Sequence, residues 1–349
     1  LIVRPTSETL FCEHYAKIIN SYRDLPKLYN QWCSVVRWEK TTRPFLRGAE
    51  FLWQEGHTMH ETEQEARTEA LKMLEVYDDC GRDLLAIPFV KGKKTNKEKF
   101  AGAEETYSIE ALMPDGKGLQ SGTTHYFGTG FAKAFGIQFQ GRDGKLTNPH
   151  QTSWGVSTRL LGAIIMVHGD DNGLSLPPYV APTQVVVIPV AQNKPGVIPA
   201  ARELFDSIKA AGYRTKIDES DKTPGWKFAE YEMKGVPLRV EIGPRDIENG
   251  VVTISIRCTG EKITVKKEEL IETINRLIPE IHQKMYEKAY RYLLDHVTEV
   301  HSIKELEEAL NKGGYAKMMW CEDEACENKI KEMFQATSRC MPFNQIAFD

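Results

Sequence analysis

The chain has 349 residues, 41% hydrophobic and 27% charged, which is enough for two or three domains that each bury a core. A formal net charge of −4 and a pI near 6.2 exclude a uniformly basic nucleic-acid sleeve, while local basic patches leave an RNA partner open. The longest apolar stretch, LLGAIIMV at 160–167, falls far short of the roughly 20 residues a membrane helix needs; with no cleavable signal visible, a cytoplasmic setting without membrane partners is expected.

The start lacks a methionine and opens inside the apolar run LIV, so the segment reads as part of a longer chain. Short apolar strand-like runs follow at 34–39, 50–55, 108–111, 125–127 and 137–140. Helices are expected at 61–85, where Ala66, Ala70, Met73, Leu74 and Tyr77 recur at helical spacing, and at 157–168. Strands without a regular intervening helix predict an antiparallel sheet flanked by helices, an α+β arrangement and not a doubly wound one. The prolines of SLPPYVAP at 175–182 mark a linker and a domain boundary.

Beyond the linker, strands at 184–190, 213–217, 237–242 and 251–257 alternate with helices at 197–211 and 226–233, a βαβ-type sheet. Leu270, Ile274, Leu277, Ile281 and Met285 form the apolar stripe of a helix over about 266–297. The expected domains are therefore 1–178, 183–285 and a small α/β appendage at 286–349. Seven cysteines, an odd number scattered along the chain, fit reduced thiols better than a disulfide framework, and Cys321, Cys326 and Cys340 gather in the appendage.

Three sets of residues carry chemistry. In RWEKTTRPFLRGAEFLWQEGH at 37–57, Arg37 and Glu39 are two apart, and so are Phe51, Trp53 and Glu55. At strand spacing each set faces one side of a sheet, offering a guanidinium fork, carboxylates and aromatic plates to a phosphorylated heteroaromatic. The bland alternative is a hairpin surface laced with ion pairs. The second set is QSGTTHYFGTG at 120–130, where Gln120, Thr123 and His125 offer neutral donors and acceptors. Its glycines belong to turns, because their spacing is not that of a dinucleotide fingerprint. In the third, Arg159 stands at the start of an apolar helix, where free N–H groups favour an anion; a snorkelling surface arginine is the alternative. HTMHE at 57–61 lacks the histidine spacing of a zinc helix and reads as non-metallic.

Taken together, RPTSET, QWCSVVRWE, FLRGAEFLWQEGHT, KFAGA, QSGTTHYFG, NPHQTSWGVSTRLLGAIIMVHGDDNGL, PGWKFAEYEMKGVPLRVEIGPRD and WCEDEACENKIKEM resemble the class II aminoacyl-tRNA synthetases. Within that class they resemble the prolyl-specific family of archaeal and eukaryotic-like type. The order of the motifs makes the resemblance specific, and it covers nearly the whole chain. The family's first class motif and its extreme C-terminus are expected outside this sequence.

The resemblance implies a ligase that activates L-proline with ATP and Mg²⁺ and transfers it to tRNA(Pro). It implies that Arg37 holds the α-phosphate and the amino-acid carboxylate, Glu39 accepts from the adenine amino group and Phe51 stacks under the base. Arg47 and Arg159 would neutralise the outer phosphates, with Gln120, Thr123 and Ser157 on the nucleotide; Arg37 and Arg159 are the residues expected to be catalytic. Thr6, Glu8 and His125 would surround proline, with Trp53, Glu55, His57 and Phe100 closing its pocket. The middle domain would bind the anticodon, with Lys227, Glu241, Arg245 and Asp246 as candidates. Cys321, Cys326 and Cys340 resemble ligands of a structural zinc, although a closed site needs four. A homodimer is implied as well. The alternatives are a catalytically inactive synthetase-like RNA-binding or regulatory protein and an adenylate-forming relative acting on another substrate.

Overall fold

The structure is a computed structural model that describes residues 3–343; Leu1 and Ile2 of the opening apolar run, and residues 344–349, lie outside the described residues. The first element is one that the strand-like reading passed over. Helix α1 (Glu8–Ile18) buries Cys12 and Tyr15, and with Ile19 they pack on Met59, Ile137 and Phe139. Strands β1 (Lys27–Val36) and β2 (Glu50–His60) pair antiparallel, with Val35 opposite Phe51, Cys33 opposite Trp53 and Gln31 opposite Glu55. The strand expected at 34–39 thus starts earlier and stops at Val36. Arg37 lies just beyond it, although its N–H still donates to the Ala49 carbonyl at 2.8 Å.

Helix α2 (Glu63–Cys80) opens on a capping box formed by Thr62 and Glu65, and it buries Ala66, Ala70, Leu74 and Tyr77, the stripe read from the sequence. Strands β3 (Val90–Lys93), β4 (Glu105–Leu112) and β5 (Gly118–Gly128) follow as an antiparallel meander. After the short α3 (Gly130–Ala134), β6 (Phe139–Gln140) and β7 (Leu146–Thr147), strand β8 (His150–Ser157) inserts between β2 and β5, antiparallel to both. Helix α4 (Arg159–His168) comes next.

The sheet's two faces differ in chemistry. Tyr107, Ile109 and Trp154 point one way and pack on Ala70, Leu74 and Tyr77 of α2. Their alternating neighbours Thr106, His125 and Ser153 are polar and point the other way. Register makes one glycine obligatory: Gly56 lies opposite Trp154, and a Cβ there would come within 2.1 Å of the indole.

In the second part, β9 (Val185–Pro189), α5 (Val197–Ala210), β10 (Thr215–Ile217), α6 (Pro224–Met233), β11 (Leu238–Ile242), α7 (Pro244–Asn249), β12 (Val251–Ile256) and β13 (Lys262–Lys266) precede the long helix α8 (Leu270–Asp295). The sheet order is β10-β9-β11-β12-β13, with the first three strands parallel and the last two antiparallel. Val185 and Val187 pack with Leu204, Ile208 and Ile274, while Val186 and Ile188 pack with Tyr231 and Val236, so β9 is covered on both faces. Helix α7 and strand β13 were not expected, and the helix expected at 266–297 is preceded by a 3₁₀ turn over Lys267–Glu269.

The chain ends in β14 (Val297–Glu299), α9 (Ile303–Lys312), β15 (Tyr315–Lys317), α10 (Glu324–Phe334) and β16 (Met341–Pro342). Strand β16 pairs with β3 and makes the first sheet seven-stranded, in the order β1-β2-β8-β5-β4-β3-β16. Contacts group residues 3–81, 88–163 and 293–343 into one unit, and 82–87 with 164–292 into a second. Among the described residues no helix is long and apolar enough to cross a membrane.

Candidate active site

The polar face of the first sheet is the floor of a cleft enclosing about 230 Å³. Three adjacent strands supply its rows. Ser153 of β8 is flanked by His57 of β2 and His125 of β5, and Gly155 by Glu55 and Thr123. Period two carries Phe51, Trp53, Glu55 and His57 onto one face of β2, so all four line the cleft. Thr6 and Glu8 enter from the start of α1, Phe100 from the turn after β3, Gln120 from β5, and Ser157 and Arg159 from the end of β8 and the start of α4. Arg37 completes the wall.

Two of the expected residues do not line the cleft. Glu39 and Arg47 pair with each other at 3.2 Å in the loop between β1 and β2. Both are close enough to act electrostatically on the lining arginines. Burial first, then repulsion from Arg47 and Arg37, pulls the Arg159 pKa below its ordinary value, partly offset by Glu110 and Glu39. Burial also lowers that of Arg37, against the attraction of Glu8, Glu39 and Glu55. Arg159, repelled by Arg47 and Arg37 and desolvated beside them, makes this end of the cleft suited to a polyvalent anion. Each lining arginine is aimed by backbone. Arg37 Nε donates to Pro5 O at 2.9 Å, and Arg159 donates to Leu46 O at 3.0 Å and Gln120 O at 3.1 Å. The Arg37 guanidinium also lies 5.4 Å from the Phe51 ring centroid and 5.3 Å from that of Trp53.

The other end of the cleft is acidic and buried. Glu8 accepts from Thr6 and, at 3.1 Å, from Ser153. Glu55 accepts from Ser7, from Gln31 at 2.6 Å and from His57 at 2.9 Å. Burial alone would raise the Glu55 pKa, but the bonds from His57, Ser7 and Gln31 outweigh it and hold the group below the ordinary carboxylate range. His125, bonded to Thr106 at 3.0 Å, is pushed down to about 3 by burial and by His57, so its ring is neutral. The Phe100 ring lies over it at 4.7 Å.

Sequence reasoning missed Ser153, Thr106 and Glu98 in this wall. For Ser153 the available signal was the alternation Ser153, Gly155, Ser157, small residues at period two.

The second unit holds the remaining candidates. Lys227 is 1% exposed, and its ammonium is taken up by Gln192 Oε1 at 2.9 Å and Asp218 O at 2.8 Å. Asp246 accepts from the Gly243 N–H at 2.8 Å and so caps α7. Glu241 is paired with Arg239 at 2.9 Å and Lys262 at 3.4 Å, whereas Arg245 is exposed.

The expected zinc set requires correction. Cys321 and Cys326 adjoin each other at the start of α10, with Cys321 raising the Cys326 pKa. Cys340 lies apart from them, beside Glu110 and Lys94, with its thiol pushed up to about 12 by burial. Among the described residues no group of three or more His, Cys, Asp or Glu side chains could hold a metal ion. The three thiols therefore do not make one ligand set, since closeness in sequence did not become closeness in space.

Residues 1–168 match the tRNA synthetase class II core domain (G, H, P, S and T), residues 184–277 the anticodon binding domain, and residues 303–349 the prolyl-tRNA synthetase C-terminal domain. The chain is 59% identical to a proline–tRNA ligase of Clostridium botulinum (strain Loch Maree / Type A3) over 346 residues, which are 99% of this chain and 72% of that protein. It is 60% identical to one from Lachnospira eligens and 58% identical to one from Lachnoclostridium phytofermentans, with the same coverage. A seven-stranded antiparallel sheet with an arginine-lined cleft on one face, and with these matches along the chain, has one reading: the chain belongs to the proline–tRNA ligase family of class II aminoacyl-tRNA synthetases.

Proposed function

We propose that this chain activates L-proline with ATP to prolyl-adenylate and transfers the prolyl group to tRNA(Pro). The observation that carries the reading is that Arg37 and Arg159, from different elements, line a single cleft with a buried acidic, aromatic-walled end. The proline carboxylate is itself the nucleophile, so attack on the α-phosphorus of ATP needs no side-chain base, only alignment and charge compensation. Arg37, in the cleft wall, would bridge the carboxylate and the α-phosphate. Arg159, with Arg47 from the loop, would offset charge on the outer phosphates as pyrophosphate leaves. Gln120, Thr123 and Ser157 would hold the nucleotide, Phe51 would stack on adenine, and Glu39 would accept from its amino group. Mg²⁺ bound with ATP would neutralise part of the phosphate charge.

At the other end, Glu8 and Thr6 suit the secondary ammonium of proline, and Trp53 and Phe100 suit its ring. Glu55 and His57 close the pocket behind them. A neutral His125 adds no cation to repel the ammonium.

The same reading extends to features that rest on family likeness. It divides the chain at 1–178, 183–285 and 286–349 and places the protein in the cytoplasm. It makes the protein a homodimer, which the exposed apolar side chains of Leu28 and Trp32 on the edge strand β1 and of Leu52 on the adjoining β2 support. Arg245 and Glu241 would meet anticodon bases, with Lys227 and Asp246 holding the scaffold under them. Proline-dependent exchange between ATP and pyrophosphate, run with each other amino acid in competition, tests the central reading. Exchange driven by proline above all others is expected, and exchange driven by another amino acid would overturn it.

A further inference from the structure

Helix α10 buries a single described residue, and it is an acid, Glu327, at 7% exposure. Its Oε1 accepts from the hydroxyl of Thr95 at 3.1 Å and from that of Ser338, while Oε2 has no hydrogen-bond partner among the described residues. A carboxylate in such a place costs more than an apolar residue of similar size, so its presence asks for a role. Its partner suggests one. Thr95 organises the turn that follows β3: its Oγ1 accepts the Glu98 N–H at 3.3 Å, and its carbonyl accepts those of Glu98 at 3.1 Å and Lys99 at 3.0 Å. That turn delivers Glu98 and Phe100 to the cleft wall. There the Phe100 N–H donates to Thr106 Oγ1 at 3.0 Å, and the same oxygen meets His125 at 3.0 Å. By drawing the Thr95 proton to itself, Glu327 leaves a lone pair of that hydroxyl facing the Glu98 amide.

We propose that Glu327 of the C-terminal segment is a positioning residue for the proline end of the cleft, acting through Thr95 on Glu98 and Phe100. The proposal rests on the proline-pocket reading above, and its test separates the two. In the full chain, Glu327→Ala is expected to raise the KM for proline about tenfold in the exchange assay, because small displacements of a pocket wall are costly. The KM for ATP is expected to stay within about twofold, and Glu327→Gln, which keeps an acceptor oxygen, is expected to recover most of the loss. Thr95→Val should reproduce the effect, and the double variant should be no worse than the poorer single one. A merely structural role would lower the melting temperature without splitting the two KM values. An unchanged proline KM in Glu327→Ala, or an equal rise in both, overturns the proposal; if that variant does not fold, Thr95→Val decides by the same criterion. Amide hydrogen exchange gives a readout independent of activity. Faster exchange at Glu98 and Lys99 in Glu327→Ala supports the proposal even if the wild type shows no proline-dependent exchange, an outcome that would strike only the function reading. Unchanged exchange rates there overturn it.

Discussion

Replacing Arg37 with alanine removes the group on which the chemistry turns, and the size of the loss follows from its surroundings. The guanidinium is half-buried, lies against Phe51 and Trp53, and is desolvated enough to lower its pKa. A unit charge about 4 Å from a developing phosphate charge, at an effective dielectric of about 20, is worth about 4 kcal/mol. Loss of one such clamp commonly costs 10²- to 10³-fold in rate, or about 3–4 kcal/mol, so the two routes agree. Arg37→Ala is therefore expected to lower kcat/KM for proline-dependent exchange by about 10³-fold at about 1.4 kcal/mol per decade. Arg37→Lys keeps the charge but loses the planar fork between two rings, and should fall about 10- to 100-fold. The assay is ATP–pyrophosphate exchange with folding checked by circular dichroism. An Arg37→Ala protein that folds and stays within tenfold of wild type would refute the electrostatic argument.

Other outcomes follow from the same geometry. Gly56→Ala forces a methyl group into the Trp154 ring and should destabilise its unit by about 3 kcal/mol, read as a drop in unfolding temperature; an unchanged midpoint would contradict the packing. Lys227→Ala should cost about 3 kcal/mol of stability by leaving buried acceptors unpaired, whereas Arg245→Ala should leave stability alone and weaken tRNA binding, with a salt slope smaller by about 1. His125, at about 3 in the fold against an ordinary value near 6.5, binds its proton more weakly folded than unfolded. Its contribution to stability is therefore full above pH of about 6.5 and is lost progressively as pH falls toward 3. Its imidazole NMR signals should not titrate between about pH 5 and 8, and a midpoint near 6.5 would refute the assigned burial.

Much of this was legible because periodicity reports burial directly. The face of β2 with Phe51, Trp53 and Glu55, and the stripes of α2 and α8, each follow from spacing alone. Strand β8 was not, because His150–Ser157 spends its alternation on small polar residues that floor a cleft and offers no run of branched apolar ones. Strand β1 was cut short for a related reason: it is an edge strand with exposed Leu28, Trp32 and Val36, so its pattern does not mark a core. Lys227 was expected among the anticodon candidates, yet it is buried and held by Gln192 and Asp218, partners 35 and 9 residues away. Glu327 was invisible for the same cause, since nothing local to α10 indicates that Thr95 will meet it.

The central claim is that one cleft holds ATP through Arg37 and Arg159 and holds proline beside them. The most direct measurement is calorimetric titration with a non-hydrolysable prolyl-adenylate analogue, repeated with ATP or proline already bound. A single site is predicted, bound far more tightly than proline or AMP alone and competitive with both ligands. Tight binding that persists undiminished in saturating ATP, or in saturating proline, would contradict it.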